Sequence, residues 1–153
     1  MTDINLKEAL LKAIQTEKDA MDFYSMGASK IFDERAKATF EILAREERQH
    51  ALSFYNAYKF GDLPAFDEMM SVAPDTTSSW YLALQKAMIS EFDERLALEL
   101  AIEQEEKLAN ELLAIAKTID DQQIKQVYLT NAASTHHHLE VVEADYKAML
   151  GMS

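Results

Sequence analysis

The sequence predicts an all-α protein, a four-helix bundle made of two repeated antiparallel hairpins joined by a long crossover that contains a short helix. Three observations predict it. Only 3 Gly and 2 Pro occur in 153 residues, which leaves little material for turns and favours long helices. Apolar residues recur at helical spacing over long stretches. The chain also repeats itself: Ala9–Lys59 laid without gaps on Ala97–Lys147 gives about 13 identities in 51 positions. They include Ala13/Ala101, Ile14/Ile102, Glu17/Glu105, Asp33/Asp121, Ala44/Ala132, His50/His138 and Tyr58/Tyr146. The repeat halves cover about 6–60 and 94–150 of a single domain, 1–153.

Asn5 is placed to cap the first long helix, with Glu8 three residues on as in a capping box. Leu6, Leu10, Ala13/Ile14, Glu17, Ala20/Met21, Tyr24 and Ala28 follow on one face, so this helix is expected over Leu6–Ile31. Asp33 can cap the second, which carries Ala36, Phe40, Leu43, Glu47, His50, Phe54 and Tyr58 inward, with Gly61 placed to end it. Pro64, Pro74 and the polar run Asp75–Ser79 read as a connection, and Trp80–Ile89 as a short helix within it. Asp93 starts the third long helix, with Leu98, Ala101/Ile102, Glu105, Leu108, Leu112 and Ile115 on its apolar stripe. Asp120 or Asp121 starts the fourth, whose inward face is Ile124, Val127/Tyr128, Asn131, Thr135, His138, Val142 and Tyr146; Gly151 lies at its end. Short turns within each pair make antiparallel hairpins. The roughly 30 residues between the pairs can cross the length of a bundle, the ferritin-like arrangement.

Composition excludes several functions. Cys is absent, so disulfides, thiolate metal sites, iron–sulfur clusters and cysteine nucleophiles are ruled out within this sequence. The formal net charge of −12 argues against nucleic acid and anionic membranes as partners. No apolar run approaches the ~20 residues of a membrane span, and the N-terminus lacks a secretory apolar region. A cytoplasmic location is expected. No glycine-rich phosphate loop is present.

Glu47-Arg48-Gln49-His50 puts a carboxylate and an imidazole about 60° apart and one turn along a helix, so both can approach one ion. Alone the motif is weak, because acids are abundant here. Position strengthens it: Glu17, Glu47, His50, Glu105 and His138 all fall on apolar stripes, where an ionised group is costly unless paired or metal-bound. A metal site is the favoured reading of the five, and a structural polar core the competing one. Glu46, Glu103 and Glu106 sit beside the stripes and are expected to face solvent. Within His136-His137-His138 the repeat selects His138 as inward, leaving His136 and His137 exposed or supporting. Tyr24 faces inward, as core packing or as a hydrogen-bond partner of a ligand.

These residues resemble the rubrerythrin family of the ferritin-like superfamily over roughly Leu6–Tyr146. The resemblance rests on Glu17, on Glu47 and His50 as Glu-x-x-His, on Glu105 and on His138. It implies a carboxylate-bridged diiron centre with these five residues as ligands, an oxidoreductase acting on peroxide or dioxygen, and a homodimer. Two positions depart from the family pattern. Thr135 stands where a second Glu-x-x-His needs its Glu, and Leu108 stands where rubrerythrins proper carry a further Glu one turn after Glu105. The missing carboxylate is expected to weaken one iron site or leave it open. Without Cys there is no rubredoxin-like unit in the sequence, so turnover is expected to need an external electron donor. Manganese or zinc also suits these ligands. The alternative function is a metal-binding or storage protein, or a scaffold with a partly degenerate site.

Overall fold

The computed structural model describes residues 1–151. Six helices appear in order: α1 (Asp3–Ala28), α2 (Glu34–Ala57), α3 (Phe66–Ser71), α4 (Ser79–Lys86), α5 (Glu94–Ala116) and α6 (Gln122–Met149). Among the described residues there is no strand. α1 packs along α2, and α5 along α6, as the two expected hairpins. α2 and α6 meet directly and join the hairpins, while α4 packs against both α1 and α5. The protein is thus a ferritin-like helical bundle with a long central crossover.

Local chemistry explains the helix starts. Asp33, Asp93 and Asp121 are N-caps, each side chain accepting from a backbone N–H two or three residues on. Asp121 rather than Asp120 does this for α6. The first cap differs from expectation. Thr2, not Asn5, accepts from the Asn5 N–H at 3.2 Å, and the helix begins at Asp3. The stretch around Asn5 is exposed, so no buried contact favours the later start.

The helix ends shift as well. α1 stops at Ala28, since the backbone N–H groups of Lys30 and Ile31 both turn back to the Gly27 carbonyl. α2 stops at Ala57, because Tyr58 is extended and its hydroxyl is held by Asp62 at 2.5 Å. Gly61 therefore lies in the loop beyond, with φ of 77°, and does not end the helix. Gly151 follows α6 at φ 73°, as expected of a residue just past a helix end. The crossover holds two short helices rather than one: α3 is additional, and α4 ends at Lys86 rather than Ile89.

Trp80 enters the core from α4. Its ring lies 5.2 Å from Phe23 and 5.6 Å from Tyr24, and Tyr24 in turn meets Phe40 edge-on at 4.9 Å. Full burial of such rings stabilises by about 1.5–3 kcal/mol each. Trp80 and, on α3, Met70 are buried. The large apolar side chains that do face solvent include Phe32 and Ile89, at the bundle end formed by the α1–α2 turn and the segment before α5. No helix is long and apolar enough to cross a membrane among the described residues.

Candidate metal centre

Between the two hairpins the fold buries a set of ionisable groups that an apolar core would ordinarily exclude. Glu17 (α1), Glu47 (α2), Glu105 (α5) and Thr135 (α6) are fully buried, with His50 (α2) and His138 (α6) almost so. The four long helices bring the five ionisable groups together.

Two triplets emerge. His50 Nδ1 faces Glu17 Oε2 and Glu47 Oε2, both at 3.4 Å. His138 Nδ1 meets Glu47 Oε1 at 2.8 Å and Glu105 Oε1 at 3.7 Å. Glu47 therefore presents one oxygen to each triplet. The imidazoles stack in parallel, 5.1 Å between centroids and 4° between planes. Ligand atoms of Glu47, His50 and His138 all lie within 4.8 Å of one another.

The outward nitrogens are held by residues that are themselves related by the repeat. His50 Nε2 pairs with Ser134 Oγ at 2.8 Å, and His138 Nε2 with Glu46 Oε2 at 2.7 Å. Position 46 in one half corresponds to 134 in the other, and each contact runs from one hairpin to its mate. Such partners fix ring orientation and turn Nδ1 to the centre. Its place beside the apolar stripe predicts a solvent-facing Glu46. Its side chain is 43% exposed, but its carboxylate is engaged on a buried histidine. The repeat could have revealed it, because the residue just before each central position is the one facing across. Glu103 and Glu106 are exposed, as are His136 and His137. Tyr24 serves both roles weighed for it, packing among aromatic rings while its hydroxyl donates to Glu105 Oε1 at 2.6 Å. Leu108 is buried one turn beyond Glu105.

Burial and the neighbouring Glu47 carboxylate push the Glu17 carboxyl well above its usual range. Burial likewise raises Glu105, to about 7, with Glu47 adding to it and His138 and Tyr24 opposing. For Glu47 burial works upward, but its pairing with Glu17 and hydrogen bonds with His138 and His50 hold it below the usual carboxylate range. Burial disfavours the imidazolium of each histidine, yet the carboxylates around them win: His50 is raised to about 10 and His138 to about 11. The centre is thus strongly cation-seeking, and it draws protons onto its own imidazoles.

Several polar atoms remain without a partner here: both Glu17 oxygens, Glu47 Oε2, Glu105 Oε2, His50 Nδ1 and Thr135 Oγ1. Buried polar atoms are seldom left unpaired. Carboxylate oxygens and imidazole nitrogens suit divalent iron, manganese or zinc, so the donor set fits a metal guest.

Comparison with curated proteins and with solved structures gives no match. Residues 8–81 match the family model described as Rubrerythrin. That match takes in Glu17, Glu47 and His50, and the folded hairpins add Glu105 and His138 to the same centre. Over those residues the chain is similar to the rubrerythrin family, and its all-helical bundle is consistent with that likeness.

Proposed function

We propose that this protein binds two divalent metal ions, iron in the cell, and works as a non-haem oxidoreductase on peroxide or dioxygen with an external electron donor. The observation that carries the reading is the orphaned, cation-seeking set of carboxylate oxygens around His50 and His138. Glu17, Glu47 and His50 would hold one ion, and Glu47, Glu105 and His138 the other. Iron bound there supplies redox electrons and Lewis acidity to an oxygen–oxygen bond.

The chain's own residues do the rest. Glu47 faces both triplets and can couple them. Tyr24 holds the Glu105 carboxylate in place through its hydroxyl. Glu46 and Ser134 aim the two imidazoles. Phe40, Leu43, Phe54 and Leu98 enclose the bundle interior and limit water. Because both histidines favour their protonated forms, cation binding releases protons from them.

Thr135 favours a second reading, a metal-binding or storage protein without turnover, because the α6 half offers no carboxylate at the place where α2 offers Glu47. The two readings separate in one assay. Iron-loaded protein with a chemical reductant should consume peroxide in repeated turnovers, and Thr135→Glu should consume it faster. Iron binding without turnover in both proteins would select the storage reading.

A further inference from the structure

Thr135 is fully buried on α6, one turn before His138, and its Oγ1 has no hydrogen-bond partner. A threonine inside a helix commonly bonds back to the carbonyl one turn before it; this one does not. The repeat pairs it with Glu47, the residue that faces both triplets. Threonine carries only a hydroxyl and a methyl on its β-carbon. What glutamate has beyond that is, in effect, a terminal carboxylate group.

Charge points the same way. Two divalent ions set against Glu17, Glu47 and Glu105 leave one positive charge uncompensated. Tyr24 enters as a neutral donor, its hydroxyl donating to Glu105 Oε1 at 2.6 Å. Glu46 is engaged on the outward nitrogen of His138 and stands partly in solvent. Ser134, its counterpart in the repeat, is neutral, so the α6 half has no anion at either position. An uncompensated charge in a buried site is costly.

We propose that the loaded centre takes up a small exogenous carboxylate-type anion, formate or bicarbonate, beside Thr135, with the Thr135 hydroxyl donating to it. The inference rests on the two-ion reading above. It gives Thr135 a positive role: the hydroxyl keeps a neutral, replaceable ligand position where the other half has a fixed carboxylate.

The test uses zinc-loaded protein, which is redox-inert, with zinc content measured first by elemental analysis. Calorimetric titration with formate should show one binding event per chain in the loaded wild type and none in the metal-free protein. Thr135→Ser should retain it, Thr135→Val should weaken it at least tenfold, and Thr135→Glu should abolish it. Formate should also raise the unfolding temperature of the loaded wild type only. Parallel titrations with formate and bicarbonate identify which source of the shared chemistry fits better; chloride controls for ionic strength. Two zinc ions without formate or bicarbonate binding would overturn this proposal and leave the metal reading intact. So would equal binding by chloride, or undiminished binding by Thr135→Glu. Failure to bind zinc at all would remove both.

Discussion

At Gly27 the α1–α2 interface has no room for a side chain. A Cβ built there would lie 2.9 Å from two carbons of the Phe40 ring. Phe40 is itself wedged against Phe23 and Tyr24, so it cannot swing aside freely. Gly27→Ala should destabilise by about 1–2 kcal/mol, the overpacking cost exceeding alanine's better helix propensity. Thermal unfolding would show a lowered midpoint; an unchanged or raised midpoint would mean the ring has somewhere to go. Asp19 presents the opposite case. Burial, with Asp75 and Asp22 adding to it and Gln15 opposing, lifts its carboxyl to about 6 from an ordinary 3.8. A raised folded-state value means the ionised form is disfavoured by folding, so Asp19 weakens the fold above pH 6 and is neutral below pH 4. Asp19→Asn should therefore stabilise by about 1 kcal/mol at pH 7.5, discounted for partial exposure, and by nothing near pH 3.5. A denaturant series at the two pH values checks the sign. Glu17, Glu47, His50, Glu105 and His138 were legible in the sequence because an ionisable group on an apolar stripe is conspicuous. Glu46 and the buried Lys18 were not. The stripe rule assigns each to the helix exterior, while Glu46 finds His138 on α6, 92 residues away, and Lys18 pairs with Asp22 at 2.5 Å.

Among the elements, α2, α5 and α6 start where their aspartate caps are written. Asp93 does so at a busy junction: its side chain caps α5 while the next residue, Glu94, accepts from the backbone N–H of Phe32 and of Asp33. Asp93→Ala should cost about 1 kcal/mol. It should also speed amide hydrogen exchange at the start of α5 more than in α6, and uniform acceleration would argue against a local cap. The start of the first helix and the crossover are less legible in the sequence, for physical reasons. Thr2 and Asn5 are both good caps in an exposed segment, and burial does not arbitrate between them. α3 spans only 6 residues, too few to show helical periodicity, and it buries only Met70. The end of α4 depended on Ile89, an apolar residue that the fold leaves 84% exposed. Hydrophobicity alone therefore extended the short helix one turn too far.

The whole molecule is organised by its internal repeat. Two hairpins of similar sequence face one another, and matched residues converge: His50 on His138 as stacked rings, Glu46 and Ser134 as their opposite holders, with Glu47 facing both rings. Where the halves differ, at Glu46/Ser134 and Glu47/Thr135, the charge of the centre becomes lopsided. Guest ions that bind only the folded bundle should stabilise it by mass action, so metal addition raises the unfolding midpoint and a chelator lowers it again. Whether the buried Glu and His cluster is the metal site is decided by metal content per chain after anaerobic loading with ferrous iron and gel filtration. Up to two ions are expected in the wild type, the one on the α6 side held more weakly. Metal content should fall clearly in His50→Ala and in Glu47→Gln, and not in His136→Ala or His137→Ala, whose side chains are exposed. Equal loss from all three histidine variants, or wild-type protein that retains no iron, would contradict that assignment.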